Sequence, residues 1–368
     1  MATLAAEDRT ALLDQLKRLL ADFSAETDVR RTMEMAEGYD PALWRRLAEM
    51  GLAGLVVEDE FGGAGAGPVE LERVMEEAGA ALLCSPLLSS GVLAAGLLQA
   101  LGDEEAKTRL LPSIANGSKI ATVAVTGDVG SWTEDAVAVT AQRAGDGWAL
   151  SGRASFVTHG QIADVLLVAA KAGDEVAVFE VEPGAKGLSV EALPTFDHTL
   201  RLARMEFAGV AARKLDGGGW GAVEAALDLA RVALAGEQAG GARRILEVTV
   251  DYAKTRVQFG RQIGSFQAIK HMAADLALET ESAVSAARHA AQALADGAPD
   301  AAAATSLAAF ACADAFVQAA AQGIQMHGGI AFTWTNPAHL YLRRARADAQ
   351  LFGTPAADRE RYLHALGA

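Results

Sequence analysis

Apolar positions recur at intervals of three and four residues near both ends of the chain. In the opening segment they are leucines: Leu12, Leu13, Leu16, Leu19 and Leu20. This spacing predicts an amphipathic first helix, and the charge mixed through the segment excludes an export signal, which needs an uninterrupted apolar core. Later apolar runs are interrupted by Gly, Pro or charge short of the ~20 residues that a membrane span requires. We therefore expect a soluble protein without a membrane partner.

The C-terminal part of the chain predicts long helices, over residues 223–255 and 265–295. The second has four apolar residues on one face: Phe266, Ile269, Ala273 and Leu276. Ser265 stands where it could cap that helix, and the Ala-rich tract over 300–309 predicts the start of another. Long helices joined by short loops usually pack as an antiparallel bundle.

Between about residues 121 and 215 the pattern changes to short β-prone runs. They lie at 120–125, 136–139, 165–169 and 176–181. Gly-Asp turns at 145–147 and 173–174 predict tight hairpins between strands. Near-regular strand and turn spacing predicts a compact all-β unit, a small barrel or sandwich.

A run of three glycines at 217–219 marks the return to helix. We predict three domains: a helical domain over 1–120, a β domain over 121–216 and a helical-bundle domain over 217–368. The order helix, strand, helix bundle is an unusual combination and points toward a specific family of folds.

Composition and charge narrow the possible partners. The 368 residues are 51% hydrophobic and 21% charged, as in a folded globular protein. A net charge of −15 makes nucleic acid and anionic membranes poor general partners. An anionic ligand would need Arg, Lys or backbone N–H groups placed locally. Cys84 and Cys312 lie in Ala- and Leu-rich surroundings without metal-type spacing, which favours buried, reduced thiols in a cytoplasmic protein.

Common catalytic motifs are missing from the sequence: it has no Walker loop, no G-x-S-x-G elbow and no H-E-x-x-H. The seven histidines are not at metal spacing. Four of them could act as an acid or base, although a structural or surface role is the more common one: His271, His289, His327 and His339.

Two C-terminal segments carry more information. In the first, over 252–267, Arg256 and Arg261 could bind an anion such as a diphosphate beside a helix N-terminus. A helix hairpin with solvated arginines would have the same spacing. In the second, over 325–332, the adjacent Gly328 and Gly329 would let a ligand approach the backbone, as a helix-terminating turn also would.

Together and in this order, these segments resemble the acyl-CoA dehydrogenase superfamily of flavoproteins, nearly end to end. The signature after the first long bundle helix is matched by RVQFGRQIGSFQAIKHMAAD, and the Gln-x-x-Gly-Gly loop by QMHGGIAF. Residues 50–63 are similar to the family's G-L…E-x-G-G stretch, and 122–126 to the strand that reaches the flavin. The segment 156–160 stands where the family has W-I-T-N-G.

The resemblance implies an α+β multidomain fold with an N-terminal helical domain, a central β-barrel and a C-terminal four-helix bundle. Members assemble as dimers or tetramers and bind FAD where the domains and a neighbouring subunit meet. They dehydrogenate acyl-CoA thioesters: a carboxylate takes the α-proton, and hydride leaves the β-carbon for the flavin. An electron-transferring flavoprotein is the acceptor that the resemblance implies.

Site residues also follow from the resemblance. Those implied to contact the isoalloxazine are Thr126, Thr158 and Phe156, the last in place of the usual tryptophan. Those implied to serve the FAD of a partner subunit are Arg256, for the diphosphate, and Phe259, Gln267, Gln325, Gly328 and Gly329. Thr354 is also implied to lie near FAD, while Ser131 and Arg231 are the substrate-binding candidates.

One departure from the family pattern concerns the catalytic base. The family's glutamate precedes a Gly-Thr pair near the C-terminus, and here Phe352 occupies that position. Some members place the base before an arginine of the first bundle helix, where this chain has Ala230 before Arg231. Glu237, two turns further on, is the less favoured substitute. Phenylalanine cannot take a proton, although its backbone N–H could still donate to a thioester.

A second departure lies in the loop TGDVGS, one residue shorter than the family's, with Trp132 where an aspartate is usual. A branch of the family shares the short chain, the lost glutamate and a similar segment over 334–341. Its members, known from bacterial steroid side-chain catabolism, work as α2β2 heterotetramers. The leading hypothesis is therefore a subunit without its own base, paired with a glutamate-bearing homologue. Alternatives are a self-sufficient dehydrogenase using Glu237, a flavin monooxygenase or oxidase, and a non-catalytic scaffold.

Overall fold

A computed structural model describes residues 5–367. The helices before the strands are α1 Ala6–Phe23, α2 Glu26–Thr32, α3 Pro41–Glu49, α4 Pro68–Ala80, α5 Ala95–Leu101 and α6 Glu104–Ala115, with a π-helix at Leu87–Ala94. The strands of the main sheet are β1 Ala121–Ala124, β2 Val139–Ala144, β3 Gly147–Thr158, β4 Val165–Ala172, β5 Glu175–Val181, β6 Leu188–Ala192 and β7 Leu202–Lys214. The remaining elements are α7 Gly219–Thr255, β8 Val257–Gln258, β9 Arg261–Gln262, α8 Gln267–Ala295, α9 Ala301–His327, α10 Ala338–Asp348 and α11 Pro355–Ala365. Helices, then strands, then helices follow one another as the sequence predicts.

The chain divides into two compact units. One comprises Thr32–Gly67 and Cys84–Ala230; the other comprises the stretch up to Arg31, Pro68–Leu83 and the stretch from Arg231 onward. The segment that carries α4 therefore belongs with the C-terminal helices. The domain boundaries at residues 120 and 216 stay a prediction.

In the first unit the main sheet closes on itself. β4, β2, β3, β7 and β5 form a ring, because β5 pairs with both β7 and β4, while β1 adds to β4 and β6 to β7. The two Gly-Asp turns join β2 to β3 and β4 to β5, both antiparallel, which confirms the predicted hairpins. Phe179, Leu150 and Met205 are among the side chains that fill the barrel interior. A closed ring removes sheet edges, so this is a barrel rather than a sandwich.

The second unit is built on small side chains. Its core cluster contains Val232 and Ala235 of α7, Ala287 of α8 and Ala308 and Cys312 of α9. α4 approaches α7 so closely that a Cβ at Gly236 would lie 2.5 Å from the Glu72 carbonyl oxygen. Glycine and alanine therefore set the helix spacing in this unit.

Two local expectations were wrong. Of the run 136–139 only Val139 lies in a strand, because a 3₁₀ turn at Glu134–Ala136 delays the start of β2. Ser265 does not cap α8, because its hydroxyl donates to the Gln262 carbonyl oxygen at 2.6 Å and Phe266 is the N-cap. One helical stretch, Ala301–Phe332, meets a length and composition test for a membrane span, and half of its most apolar window is buried inside the protein.

Candidate functional site

The loop that leaves β1 is closed by its own side chains. The Thr126 hydroxyl donates to the Ser131 carbonyl oxygen at 2.5 Å. Asp128 accepts hydrogen bonds from the Ser155 hydroxyl at 2.5 Å and the Arg153 guanidinium at 2.7 Å. Both hydrogen bonds lower the pKa of Asp128, and the one from Ser155 has the larger effect. The structure thus brings Thr126 and Ser131 into one ordered loop.

Phe156 lies in a bulge of β3. The register of β3 against β7 shifts between Ala154 and Val157, and Phe156 has a φ of 58°. Its ring packs on the same β1 loop, because a Cβ at Gly130 would lie 3.2 Å from the Phe156 ring. Bulges re-aim side chains and are common beside active sites. Alternation along a strand could not have predicted this orientation.

Thr158 ends β3 with a buried polar group. Its carbonyl oxygen accepts from the Thr122 hydroxyl at 2.5 Å. Its own Oγ1 is buried and finds no hydrogen-bond partner within residues 5–367. Leaving such a group unsatisfied costs about 1–3 kcal/mol, so a polar ligand would be stabilised here. The isoalloxazine edge carries nitrogen and oxygen atoms that could satisfy it, and this end of the barrel therefore fits a flavin.

A buried Ser–His contact lies beside Thr158, and the sequence did not predict it. The Ser89 hydroxyl, on the π-helix, donates to the Pro86 carbonyl oxygen at 3.0 Å. The Ser89 oxygen also lies 3.2 Å from Nδ1 of His159, and the tautomer of His159 decides which of the two atoms donates. His159 has a left-handed φ of 53°. Only the paired serines in an otherwise apolar run could have hinted at this contact.

In the second unit, Phe352 is fully buried. It is 0% exposed and has a φ of 60°, a conformation that costs a non-glycine residue about 1 kcal/mol or more. Its carbonyl oxygen accepts a hydrogen bond from Nε of Arg231 at 3.0 Å. Arg231, the predicted substrate contact, is itself buried and lies 3.9 Å from the Asp358 carboxylate. Arg231 thus binds the backbone of the loop that carries Phe352.

The residues after Phe352 fix the same loop. A Cβ at Gly353 would lie 2.8 Å from Asp358 Oδ1, so only glycine fits against that carboxylate. Thr354 caps α11: its Oγ1 accepts from the Ala357 N–H at 3.2 Å, and Pro355 occupies the first helical position. The loop geometry is therefore specified although the side chain at 352 is apolar.

Glu237 does not present a free carboxylate. It is 5% exposed and forms a buried ion pair with Arg344, whose guanidinium also donates to the Leu83 carbonyl oxygen at 3.3 Å. This contact assigns Glu237 a structural partner rather than a substrate-facing position.

Arg256 ends α7 and opens a two-residue hairpin between β8 and β9. The turn residues Phe259 and Gly260 both have positive φ, 51° and 75°, as the tightest hairpins require. Phe259 is 91% exposed, and Arg256 is also exposed. Arg261 stacks over the Phe266 ring, with its guanidinium carbon 4.0 Å from the ring centroid. The hairpin presents a guanidinium and an apolar ring to the outside of this chain.

The second motif lies where α9 ends. Gly328 has a φ of 68°, and a Cβ at Gly328 or Gly329 would meet nothing within 4 Å, so the backbone here is open to approach. His327 packs under it, stacked on Tyr252 with ring centroids 4.3 Å apart. Gln325 is exposed in the last turn of α9. His327 therefore has the structural role that its burial favours.

Gln267 and the remaining candidate histidines are at the surface or in local contacts. Gln267 opens α8, exposed, with Nε2 3.5 Å from His271. His289 is exposed, and His339 binds the Asn336 carbonyl oxygen at 2.7 Å. Across residues 5–367 no cluster of three or more His, Cys, Asp or Glu could hold a metal. Cys84 and Cys312 are both buried, as predicted, and form no disulfide within residues 5–367.

Comparisons with known proteins give matches over most of the chain. A family model described as the acyl-CoA dehydrogenase N-terminal domain matches residues 6–118, and one described as the acyl-CoA dehydrogenase C-terminal domain matches 217–366. The chain is 36% identical over 352 residues to acyl-CoA dehydrogenase IpdE2 of Mycobacterium tuberculosis, covering 95% of this chain and 94% of that protein.

Two solved structures are similar over their whole length. One is described as a variant of the Tcur3481-Tcur3483 steroid ACAD: TM-score 0.89, 32% identity, 98% of each chain covered. The other is the ChsE4-ChsE5 complex of Mycobacterium tuberculosis: TM-score 0.91, 28% identity, 100% of this chain and 99% of that chain covered.

Proposed function

This chain belongs to the acyl-CoA dehydrogenase family of oxidoreductases, and from that premise we propose that it is the subunit without a catalytic base in a heteromeric, FAD-dependent enzyme. The substrate would be an acyl-CoA thioester with a bulky acyl group, and the partner a homologous, glutamate-bearing chain. We further propose a cytoplasmic location and an electron-transferring flavoprotein as electron acceptor.

One observation carries the proposal: Phe352. At the position where the family has its glutamate, this chain has a side chain that is 0% exposed and cannot accept a proton. Nevertheless, Arg231 holds the backbone carbonyl of Phe352, and Asp358 leaves room only for glycine at 353. The loop geometry is kept while proton abstraction is lost, a combination that suits a chain whose partner supplies the base.

The proposed FAD contacts divide between two subunits. When bound, FAD would supply the hydride acceptor for the β-carbon. Thr158, with its buried and unsatisfied hydroxyl, and Thr126 and Phe156 would contact the isoalloxazine. The exposed Arg256 would neutralise the diphosphate of a flavin held mainly by the partner, which a chain of net charge −15 needs locally.

Other residues would act across the same subunit boundary. The open backbone at Gly328 and Gly329 would admit the diphosphate or adenosine, with Gln325 and Gln267 beside it. Phe259, 91% exposed in this chain, would be covered by the partner, and Thr354 would lie near the flavin. Ser131 would contact CoA, while Arg231 would act through the Phe352 backbone rather than on the substrate directly.

Similar proteins support a partner of this kind. Both solved structures named above are described as pairs of different chains, one of them a steroid ACAD. Pairing of unlike chains would allow one active site of each heterodimer to be enlarged while the other active site loses its activity. A bulky acyl group, as in steroid catabolism, is the substrate class that this arrangement favours.

The first test is the flavin content and assembly mass of the chain, expressed alone and with a glutamate-bearing homologue, by absorbance and native mass spectrometry. We expect the chain alone to be flavin-poor or dimeric, and co-expression to give a flavin-containing heterotetramer. One FAD per chain in a stable, fully active homotetramer would refute the proposal.

The second test distinguishes the roles of the two subunits by a substitution in each, measured in the purified complex. Phe352→Leu should leave turnover within about twofold, because residue 352 supplies no proton acceptor, whereas replacing the partner's glutamate by glutamine should abolish it. A large loss of turnover in Phe352→Leu, with the flavin content and assembly unchanged, would show that this chain's own site is catalytic.

A self-sufficient enzyme using Glu237 is the alternative that the structure weakens most. Its carboxylate is engaged by Arg344 in a buried pair, so it would have to leave that partner to take a proton. No contact in the described chain favours an oxidase or a pure scaffold over the heteromeric dehydrogenase.

A further inference from the structure

Glu72, in the second turn of α4, is a buried acid that the proposed reaction does not use. Its side chain lies in the second unit and the residue is 1% exposed. Its Oε1 has no hydrogen-bond partner within the described residues, 5–367. A carboxylate buried in this way loses its hydration without replacement, which disfavours the ionised form.

Glu76, one helical turn later, has the ion-pair partners that Glu72 lacks. It is 0% exposed, yet three guanidinium groups surround it: Arg243 of α7, Arg73 at 3.3 Å and Arg288 of α8 at 3.5 Å. Glu72 and Glu76 therefore lie on one face of α4 near the same three arginines, and all three arginines form their ion pairs with Glu76. Because i and i+4 residues are neighbours on a helix, the Glu76 charge also acts on Glu72.

The packing around Glu72 leaves little room for water. A Cβ at Gly236 would lie 2.5 Å from the Glu72 carbonyl oxygen, and a Cβ at Gly240 would lie 1.8 Å from that of Glu76. The backbones of α4 and α7 are thus in direct contact along this stretch. Burial first, and then the charge of Glu76, raise the pKa of Glu72 to about 7.

The charged and titratable groups that face Glu72 come from four helices: Arg73 and Glu76 of α4, Arg243 of α7, Arg288 of α8 and Cys312 of α9. The three arginines stay charged at all physiological pH values. Burial raises the pKa of the Cys312 thiol, which donates to the Ala283 carbonyl oxygen at 3.3 Å. The three arginines form ion pairs with Glu76, and Glu72 is the acid of this cluster without an ion pair within residues 5–367.

We infer that Glu72 is a proton switch in the contact between α4, α7 and α8. With its proton on, Glu72 is neutral and α4 packs tightly against α7. When the proton is lost to solvent above neutral pH, the new carboxylate attracts Arg288 away from Glu76 and weakens the α4 contact. Arg288 is the cation free to move, because its side chain is 47% exposed. The inference is independent of the proposed reaction and of the partner subunit.

The sign of the pH effect follows from linkage. The pKa of Glu72 is about 7 in the folded protein and 4.5 when exposed, so the folded state binds more protons between these values. The contact is therefore fully stable below about pH 4.5 as far as Glu72 is concerned, and it weakens as the pH rises through 7. Between pH 6 and pH 8 the opening equilibrium of α4 should rise about tenfold.

Two measurements on the purified full-length protein, with whatever flavin and partner it retains, test the inference. Infrared difference spectroscopy between pH 5.5 and pH 8.5 should show a protonated carboxyl band that disappears in Glu72→Gln. Hydrogen exchange of the α4 amides, corrected for the intrinsic pH dependence, should rise about tenfold from pH 6 to pH 8 in the wild type and less than about twofold in Glu72→Gln.

Glu279→Gln, at an exposed position of α8, is the matched control and should leave both signals as in the wild type. Glutamine has nearly the same size as a protonated glutamic acid, so Glu72→Gln is expected to fold. If Glu72→Gln keeps both the infrared band and the pH-dependent exchange of α4, Glu72 is not the switch. If the wild type shows neither, the contact does not respond to pH, and the inference is equally overturned.

Discussion

The end of the barrel and the loop around Phe352 differ in the polar groups that they offer. At the barrel end, Thr126 closes its loop, and the buried Thr158 hydroxyl has no protein partner within residues 5–367. In the Phe352 loop, Phe352 has a left-handed conformation and Arg231 binds its carbonyl oxygen, but its side chain is apolar. The barrel end thus has a hydroxyl that a polar ligand could satisfy, whereas the side chain of Phe352 cannot accept a proton.

This difference teaches that binding and proton abstraction depend on separable parts of the chain. A ligand is recognised by several hydrogen bonds, each worth about 1 kcal/mol, whereas a general base is one side chain of one type. A chain that only needs to complete a partner's site can lose the general base while keeping the hydrogen bonds that bind the ligand. The four substitutions below probe each side, starting with the largest expected effect.

Arg231→Met should destabilise the protein by about 3–5 kcal/mol, because it leaves the buried Asp358 carboxylate and the Phe352 carbonyl oxygen without their cation. Chemical denaturation at pH 7 measures the loss. Arg359→Met is the matched control: its pair with Asp314 is half exposed on the surface, so it should cost less than about 1 kcal/mol. Equal effects of the two variants would mean that Arg231 does not hold the Phe352 loop.

Glu237→Gln should lower stability by about 2 kcal/mol or more, since the buried, charged Arg344 would lose the Glu237 carboxylate. The rate of flavin reduction by substrate, per folded complex, should not change. Unfolding curves and single-turnover absorbance separate these effects. A drop of about 100-fold or more in the rate, with only a small loss of stability, would instead identify Glu237 as a base.

Thr158→Val should weaken FAD binding about tenfold, the loss of one hydrogen bond to the flavin, and should leave the stability of the flavin-free protein equal or slightly higher. FAD titration followed by fluorescence gives the affinity. Thr122→Val is the control, because the Thr122 hydroxyl already binds the Thr158 carbonyl oxygen, so its loss should lower the stability of the flavin-free protein. If Thr158→Val destabilises the flavin-free protein, its hydroxyl has a partner within the chain.

Asp128→Asn should have the smallest effect, because the carboxylate is exposed. Hydrogen bonds from Ser155 and then Arg153 lower its pKa, so its contribution to stability is present at pH 7 and is lost as the pH falls through the folded pKa. Urea unfolding of wild type and variant should therefore differ slightly at pH 7, and the difference should shrink as the pH is lowered. A difference that does not shrink in acid would come from packing rather than charge.

Much of the fold could be predicted from the sequence because it depends on local patterns. The hairpins at Gly145–Gly147 and Gly173–Asp174 follow from turn chemistry, and the long helices from Ala and Leu content. The strand boundary at Val139 and the N-cap of α8 were missed, because a 3₁₀ turn and a loop hydrogen bond of Ser265 decide them. Such contacts compete with the helix and strand propensities of the residues, and the spacing of residue types along the sequence does not reveal them.

The site was predictable only in part, for a related reason. Phe352 was found by its place before Gly353 and Thr354, a short motif in the chain. The Ser89–His159 contact and the pairing of Glu237 with Arg344 join residues 70 and 107 positions apart, and no local pattern reports them. Long-range pairs of this kind decide which polar residues are engaged and which are available.

The position of α4 in the chain also has a consequence for how the protein is made. The chain leaves the first unit at Gly67, contributes Pro68–Leu83 to the second, and returns at Cys84. On the ribosome, α1 and α4 therefore emerge long before α7, α8 and α9, against which α4 finally packs. The apolar faces of α1 and α4 therefore stay exposed until about 150 further residues have been synthesised. Such a delay favours chaperone binding or pairing with a nascent partner chain. A chain truncated after the barrel would keep its strands and lose the helices that cover those faces.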